Sequence, residues 1–229
     1  MWILLRKKSL FIYLCIVLTL ITANAETHTA IAKTSADYKD LIGLDEKTKA
    51  KVDKWLNEGL IQGISEERFG VNETITRAEF AKIVALSVGI TINNTLKISS
   101  FNDVRSDDPV YGDKLSFIEA LRESGITDGI EIDHFNPSGL VTKEQFAVFL
   151  IRAQGKDAEG KQTQAGSDET VSNYAKGYVA LALKLFPYLR SEGSFYGSIP
   201  ITRQMVLLGL DDLTVSYCGC RNSEGDRLR

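Results

Sequence analysis

The chain has 229 residues, 25% of them charged and 44% hydrophobic, which argues against a disordered, collagenous or multi-span membrane protein and allows a packed core. Its 27 basic and 30 acidic residues give a formal charge of −3. Such a mildly acidic body has no general attraction for nucleic acid or anionic membrane, and any anion it holds must be gripped by locally placed bases.

Residues 1–25 read as a signal peptide. Arg6, Lys7 and Lys8 precede an apolar run from Leu10 to Ile21, and small residues follow at Ala23, Asn24 and Ala25. The run is too short to span a bilayer comfortably, so no membrane association is expected after cleavage. The bulky Leu14 before Cys15 argues against a lipoprotein. Cleavage leaves Cys218 and Cys220, in a short tail at 214–229. With His28 and His134 far away in sequence they make a poor zinc site, and no metal or other cofactor is expected. A disulfide, a thiol pair and an intermolecular bridge stay open.

The body of the chain repeats. Ile75-Thr76-Arg77-Ala78-Glu79-Phe80 returns as Val141-Thr142-Lys143-Glu144-Gln145-Phe146 and again as Ile201-Thr202-Arg203-Gln204-Met205-Val206, at intervals of 66 and 60 residues. Upstream, Gly59, Gly63, Ile64 and Phe69 pair at the first interval with Gly125, Gly129, Ile130 and Phe135, and Phe195 keeps its distance in the third copy. The implied units are 26–94, 95–155 and 156–213, the last degenerate and led by a polar linker at 155–170.

Each unit reads as helix, glycine-punctuated loop, helix. Val52, Trp55 and Leu56 share a helical face, as do Ile118 and Leu121. Asp108-Pro109 is expected to open the second unit's first helix, and Gly59 and Gly125 to cap helix ends in the left-handed conformation. In the third unit the face is Tyr174, Tyr178, Leu181, Ala182 and Leu185, ended by Pro187. The second helices carry Phe80, Ile83, Val84 and Val88, then Phe146, Phe149, Leu150 and Ala153, then Val206, Gly209, Leu210 and Leu213. Thr91 to Ser100 reads as a linker. A two-helix unit cannot bury its apolar face alone, so the copies must pack on each other.

The hexamer is helix-capping chemistry. Thr76 with Glu79, and Thr142 with Gln145, have the spacing of capping boxes, and Thr202 can cap without a box because Met205 cannot return the bond. Capping does not account for the base that follows each threonine: Arg77, Lys143 and Arg203. A cation in the first turn opposes the helix dipole at a cost of about 0.3–1 kcal/mol, so its recurrence suggests a use. Backbone donors of a helix start beside such a base can hold a carboxylate or phosphate; a solvated or salt-bridged face accounts for the bases equally well.

The hexamer, the preceding helix and the loop from Gly59 to Phe69 together resemble the S-layer homology (SLH) repeat, and Phe101-Asn102-Asp103-Val104 resembles the opening of its second copy. The resemblance runs from Ala36 to Leu213 as three tandem copies. It implies an all-α fold, three helix-loop-helix repeats in a pseudo-threefold bundle. It further implies a secreted, non-catalytic module at the wall or S-layer of a Gram-positive-type envelope. Such a module binds secondary cell wall polysaccharide bearing pyruvylated N-acetylmannosamine, with surface-layer proteins as further partners.

Carried over by position, the ligand-binding residues are Arg77, Lys143 and Arg203, with Lys143 a departure because lysine lacks the two-pronged guanidinium, together with the loop glycines Gly63 and Gly129. The third copy lacks an equivalent glycine. Fewer than three competent grooves are therefore expected, the one depending on the third copy being weakest. The competing readings are a protein-binding module in a surface lattice and a wall-acting glycoside hydrolase using acids such as Asp107, Asp108, Asp128, Glu131 and Asp133.

Overall fold

A computed structural model describes residues 33–190 and 192–209, and these are helices joined by turns and loops, with isolated β-bridges but no strand among them. The predicted leader at 1–25, the tail with Cys218 and Cys220, and the stripe residues Leu210 and Leu213 lie outside the described residues. The helices are α1 (Glu46–Asn57), α2 (Arg77–Ser87), α3 (Leu115–Glu123), α4 (Lys143–Ala153), α5 (Asp157–Gln162), α6 (Lys176–Leu185) and α7 (203–209). The first and second helices of the three hexamer-bearing units are thus α1 and α2, α3 and α4, α6 and α7.

The predicted stripes form one core, with Trp55, Phe69, Phe80, Phe135 and Phe146 among its largest fully buried side chains. Phe80 meets Phe146 and Phe149 edge-on, at ring separations of 5.7 and 5.0 Å, so α2 and α4 share an aromatic seam. Gly59 and Gly125 stop α1 and α3 at φ 68° and 73°. In each case the glycine N–H and the next residue's N–H turn back onto the last helical carbonyls, Leu56 and Trp55 in the first, Arg122 and Leu121 in the second.

Three local expectations are corrected. Asp108 accepts from the N–H groups of Val110 and Tyr111, but residues 109–111 form a turn, a 3-10 segment follows at Gly112–Lys114, and α3 begins only at Leu115. Gly112 packs onto the Ser106 carbonyl, where a Cβ would sit 2.6 Å from that oxygen. Secondly, Tyr174 precedes α6 and is exposed, as is Leu185, so the buried face of the third unit's first helix is Tyr178, Leu181 and Ala182.

Thirdly, the polar stretch 155–170 is not merely a linker, because it contains α5. Gly160 of α5 and Gly177 of α6 bring the two backbones together, and a Cβ on Gly177 would collide with the Gly160 carbonyl. Asp157 is held by Arg152 Nε at 2.9 Å and Tyr178 Oη at 2.6 Å. A helix that docks through a glycine and a salt bridge has no apolar stripe to betray it. Replacing Gly177 with Ala should push α5 from α6 and cost about 1–3 kcal/mol, read as a lower denaturant midpoint.

The units are joined in a closed cycle through their helix starts. The first two N–H groups of α2 donate to Gly139 and Pro137 carbonyls of the second unit, at 2.8 and 3.1 Å. Those of α4 donate to Ile199 and Gly197 of the third, both at 2.9 Å, and those of α7 return to Glu73 and Val71 of the first, again at 2.9 Å. The bridges Thr76 to Leu140, Thr142 to Pro200 and Thr74 to Thr202 mark the same three junctions.

Candidate functional site

The three helix starts are capped by Thr76, Thr142 and Thr202, whose hydroxyls accept from the N–H groups of Glu79, Gln145 and Met205 at 3.3, 3.4 and 3.4 Å. Glu79 and Gln145 complete their boxes by accepting from the threonine N–H groups at 3.1 and 3.2 Å. Cap and cyclic junction together occupy the first three N–H groups of each helix. The sequence expectation that these donors are open to a ligand is therefore corrected: they are satisfied by threonine hydroxyls and by carbonyls of the next unit.

The motif bases point the same way. Arg77 is 3% exposed; its guanidinium lies 4.6 Å over the Phe135 ring, Nε donates to the Phe135 carbonyl at 2.7 Å and Nη1 to Gln145 Oε1 at 3.3 Å. Lys143 Nζ lies 4.3 Å over Phe195 and donates to the Phe195 carbonyl at 3.2 Å. Arg203, 5% exposed, lies 4.9 Å over Phe69 and donates to the Gln62 carbonyl. The recurring base and the recurring phenylalanine are two halves of one inter-unit latch. This gives the bases a use without a ligand that differs from both sequence expectations, ligand binding and a solvated or salt-bridged face. Burial lowers the pKa of all three, that of Arg77 to about 10.

Each latched phenylalanine is also clamped by an aspartate that the motif reading missed. Asp103 accepts from the N–H groups of Phe135 and Asn136 at 2.9 and 2.6 Å, and Asp168 from that of Phe195 at 2.6 Å. Asp40 accepts from Phe69, Gly70 and Val71. The signal was present as Tyr38-Lys39-Asp40-Leu41, which parallels Phe101-Asn102-Asp103-Val104; Tyr38 meets Phe69 edge-on and Phe101 meets Phe135 at a tilt. Burial works to raise the Asp40 pKa, but the backbone donors outweigh it and hold it below the usual value. The Thr170 hydroxyl, with the Phe195 and Thr170 N–H groups, likewise lowers that of Asp168. Carboxylates depressed in the folded state stabilise it above the unfolded value, near 4, and that stabilisation is lost as pH falls through the lower folded values. Thermal unfolding temperature should accordingly drop on acidification below pH about 4, and Asp40→Asn should flatten the drop.

Two clefts open beside the buried arginines. The first, about 380 Å³, runs along the second unit's loop, Ile126 to Ile130, and is walled by α4 residues Glu144, Gln145, Val148, Phe149 and Arg152, with Arg77, Tyr174 and Tyr178 completing it. The second, about 170 Å³, runs along the first unit's loop, Gly59 to Ile64, between Glu79, Lys82 and Ile83 of α2, with Lys114 and Arg203. Much of their lining corresponds by position. The loops, Lys82 with Val148 and Ile83 with Phe149 are related by the 66-residue interval, and Lys114 with Tyr174 and Arg203 with Arg77 differ by 60 and 126. In each cleft a buried guanidinium nitrogen lacks a partner within the protein, Nη2 of Arg77 and Nε of Arg203.

The predicted residues are thus brought together in pairs: Arg77 with Gly129 in the first cleft and Arg203 with Gly63 in the second. Lys143 lines neither. Both glycines are required by the protein's own packing. A Cβ on Gly129, at φ 88°, would strike the His134 carbonyl, and one on Gly63 would meet the Tyr38 ring and lie 2.9 Å from the Arg68 carbonyl. The expectation for the third copy divides. Its loop is gripped by Lys143, yet its Arg203 completes the more basic cleft, because the neighbouring copies supply Lys82 and Lys114.

Three of the five acids considered for hydrolysis have other work: Asp107 pairs with Arg105 at 2.7 Å, Asp108 caps a turn, and Asp128 pairs with Arg152 at 2.7 Å. Among the described residues no group of His, Cys, Asp and Glu is placed to hold a metal ion, and no helix is long and apolar enough to cross a membrane.

Fold and clefts define a helical repeat module with grooves at its unit junctions. Residues 37–81 and 100–147 match the family model of the S-layer homology domain, covering the first two copies of the repeat. The chain is 28% identical over 188 residues to a surface-layer 125 kDa protein of Lysinibacillus sphaericus, a match covering 80% of this chain and 15% of that protein. It is 29% identical over 140 residues to a surface layer protein of Brevibacillus choshinensis, covering 59% and 12%. An amylopullulanase of Thermoanaerobacterium thermosulfurigenes is 27% identical over 158 residues, 67% of this chain and 8% of the enzyme. The chain therefore spans a small part of each of these relatives.

Proposed function

We propose that the chain is a non-catalytic anchoring module, placed outside the cell, that attaches to the wall of a Gram-positive-type envelope by binding anionic secondary wall polysaccharide of the pyruvylated N-acetylmannosamine type. Binding takes place in grooves at the junctions of three repeats in pseudo-threefold array, and surface-layer proteins are further partners. What chiefly supports this reading is a repeated coincidence: each cleft is lined by a motif arginine that keeps one buried guanidinium nitrogen without a partner, beside the glycine-bearing loop of a repeat. The family match over the two copies that build both loops supports it independently. Lys143 is proposed as a latch, and as a ligand residue only through the loop it holds.

Sedimentation of the chain with purified walls tests this. Binding is expected to walls that carry their secondary polymer and to be lost when the polymer is extracted; equal binding to stripped walls would overturn it. Affinity should also fall as pH drops through the carboxylate range, near 3–4, where the ketal carboxylate loses its charge. Circular dichroism at each pH separates this from loss of the Asp40 and Asp168 clamps.

A further inference from the structure

The two clefts are alike in plan but differ in charge and surface chemistry. The second cleft presents three cations, Lys82, Lys114 and Arg203, against one carboxylate, Glu79, which its capping box already engages. Lys114 also pairs with Asp113 at 2.7 Å, whereas Lys82 lies 6.0 Å over the Phe117 ring with no carboxylate partner among the described residues. In the first cleft Arg77 and Arg152 face Asp128 and Glu144. Arg152 is tied to Asp128 at 2.7 Å and to Asp157 at 2.9 Å, and Glu144 accepts from Ser172 N–H and hydroxyl at 2.9 and 2.7 Å. Where the second cleft has Lys114, the first has Tyr174, 57% exposed.

We infer that the clefts divide the glycan between them: the Arg203, Lys82 and Lys114 cleft takes a sugar carrying an oxyanion substituent, and the Arg77 and Tyr174 cleft takes a neutral pyranose. The inference rests on the wall-binding reading and adds the class of sugar for each site. An oxyanion entering the first cleft would meet the carboxylates of Asp128 and Glu144, while the Arg152 charge is already engaged by Asp128 and Asp157, so it would gain little net attraction. A neutral ring keeps the Arg152 pairs intact and lays its apolar face on the exposed Tyr174 ring. In the second cleft an unpaired ammonium beside a buried guanidinium favours an anion, and removal of one charge-assisted contact is the larger loss.

The test titrates the chain calorimetrically with three probes: N-acetylmannosamine, the same sugar bearing a 4,6-pyruvate ketal, and its 6-phosphate. Lys82→Gln with Lys114→Gln should weaken the charged probes by about tenfold or more and leave the neutral sugar unchanged. Tyr174→Ala should weaken the neutral sugar roughly three- to tenfold and spare the charged ones. Lys82→Arg should retain binding. Preference for the ketal over the phosphate, or the reverse, identifies the oxyanion. Equal effects of both variant sets on all probes, or a charged probe whose binding depends on Tyr174, would overturn the division. In that event continued sedimentation with polymer-bearing walls would leave anchoring standing; loss of sedimentation by the unaltered chain would remove both.

Discussion

Arg77→Ala should destabilise the fold by about 2–4 kcal/mol, the combined loss of a cation from an aromatic face and of the donor to a buried carbonyl. For a chain of this size that is a fall of roughly 5–15 °C in Tm, measured by thermal unfolding. The Phe135 carbonyl would lose its side-chain donor, Gln145 one of its two donors, and Phe135 the guanidinium that covers it. Arg77→Lys should cost only about 1 kcal/mol, because an ammonium can still reach a carbonyl, as Lys143 does over Phe195. An unchanged Tm for Arg77→Ala would mean that the latch carries no stability. The same prediction warns against reading lost wall binding by Arg77→Ala or Arg203→Ala as lost recognition, since both bases hold units together.

Gly129→Ala should cost about 2–4 kcal/mol, because alanine is strained at positive φ and the added carbon must move backbone. The carbon would strike the His134 carbonyl and lie 2.8 Å from the Phe101 ring. Movement there displaces the loop that lines the first cleft, so sugar binding at that cleft should fall with stability. Gly125→Ala, where nothing lies within 4 Å of the added carbon at φ 73°, should show only the backbone part, about 1–2 kcal/mol. Equal costs at the two positions would show that close approach is not what fixes Gly129.

What was legible in the sequence was local or repeated. Thr76 with Glu79 and Thr142 with Gln145 announce their helices because a capping box needs only four residues in sequence. The stripes through Phe80 and Phe146 announce the core because one helical face is buried throughout. The latch was half legible: Arg77 and Phe135 both stood out in register, but they meet across 58 residues, and no local rule joins them. Asp40, Asp103 and Asp168 act through backbone N–H groups of distant loops, and an acid in a loop looks the same whether it clamps a turn or faces water. Helix α5 was hidden because its sequence buries only Gly160. The charge contrast between the clefts needed the structure, since Lys82, Lys114 and Arg203 come from three different units.

The most direct measurement is amide hydrogen exchange on the chain with and without purified wall polymer. If glycan lies in the clefts, exchange should slow along residues 59–64 and 126–130, the two register-related loops, while the helix-start amides of Arg77, Lys143 and Arg203, already bonded between units, stay unchanged. Polymer binding that leaves both loops unprotected and instead alters those helix-start amides would contradict it.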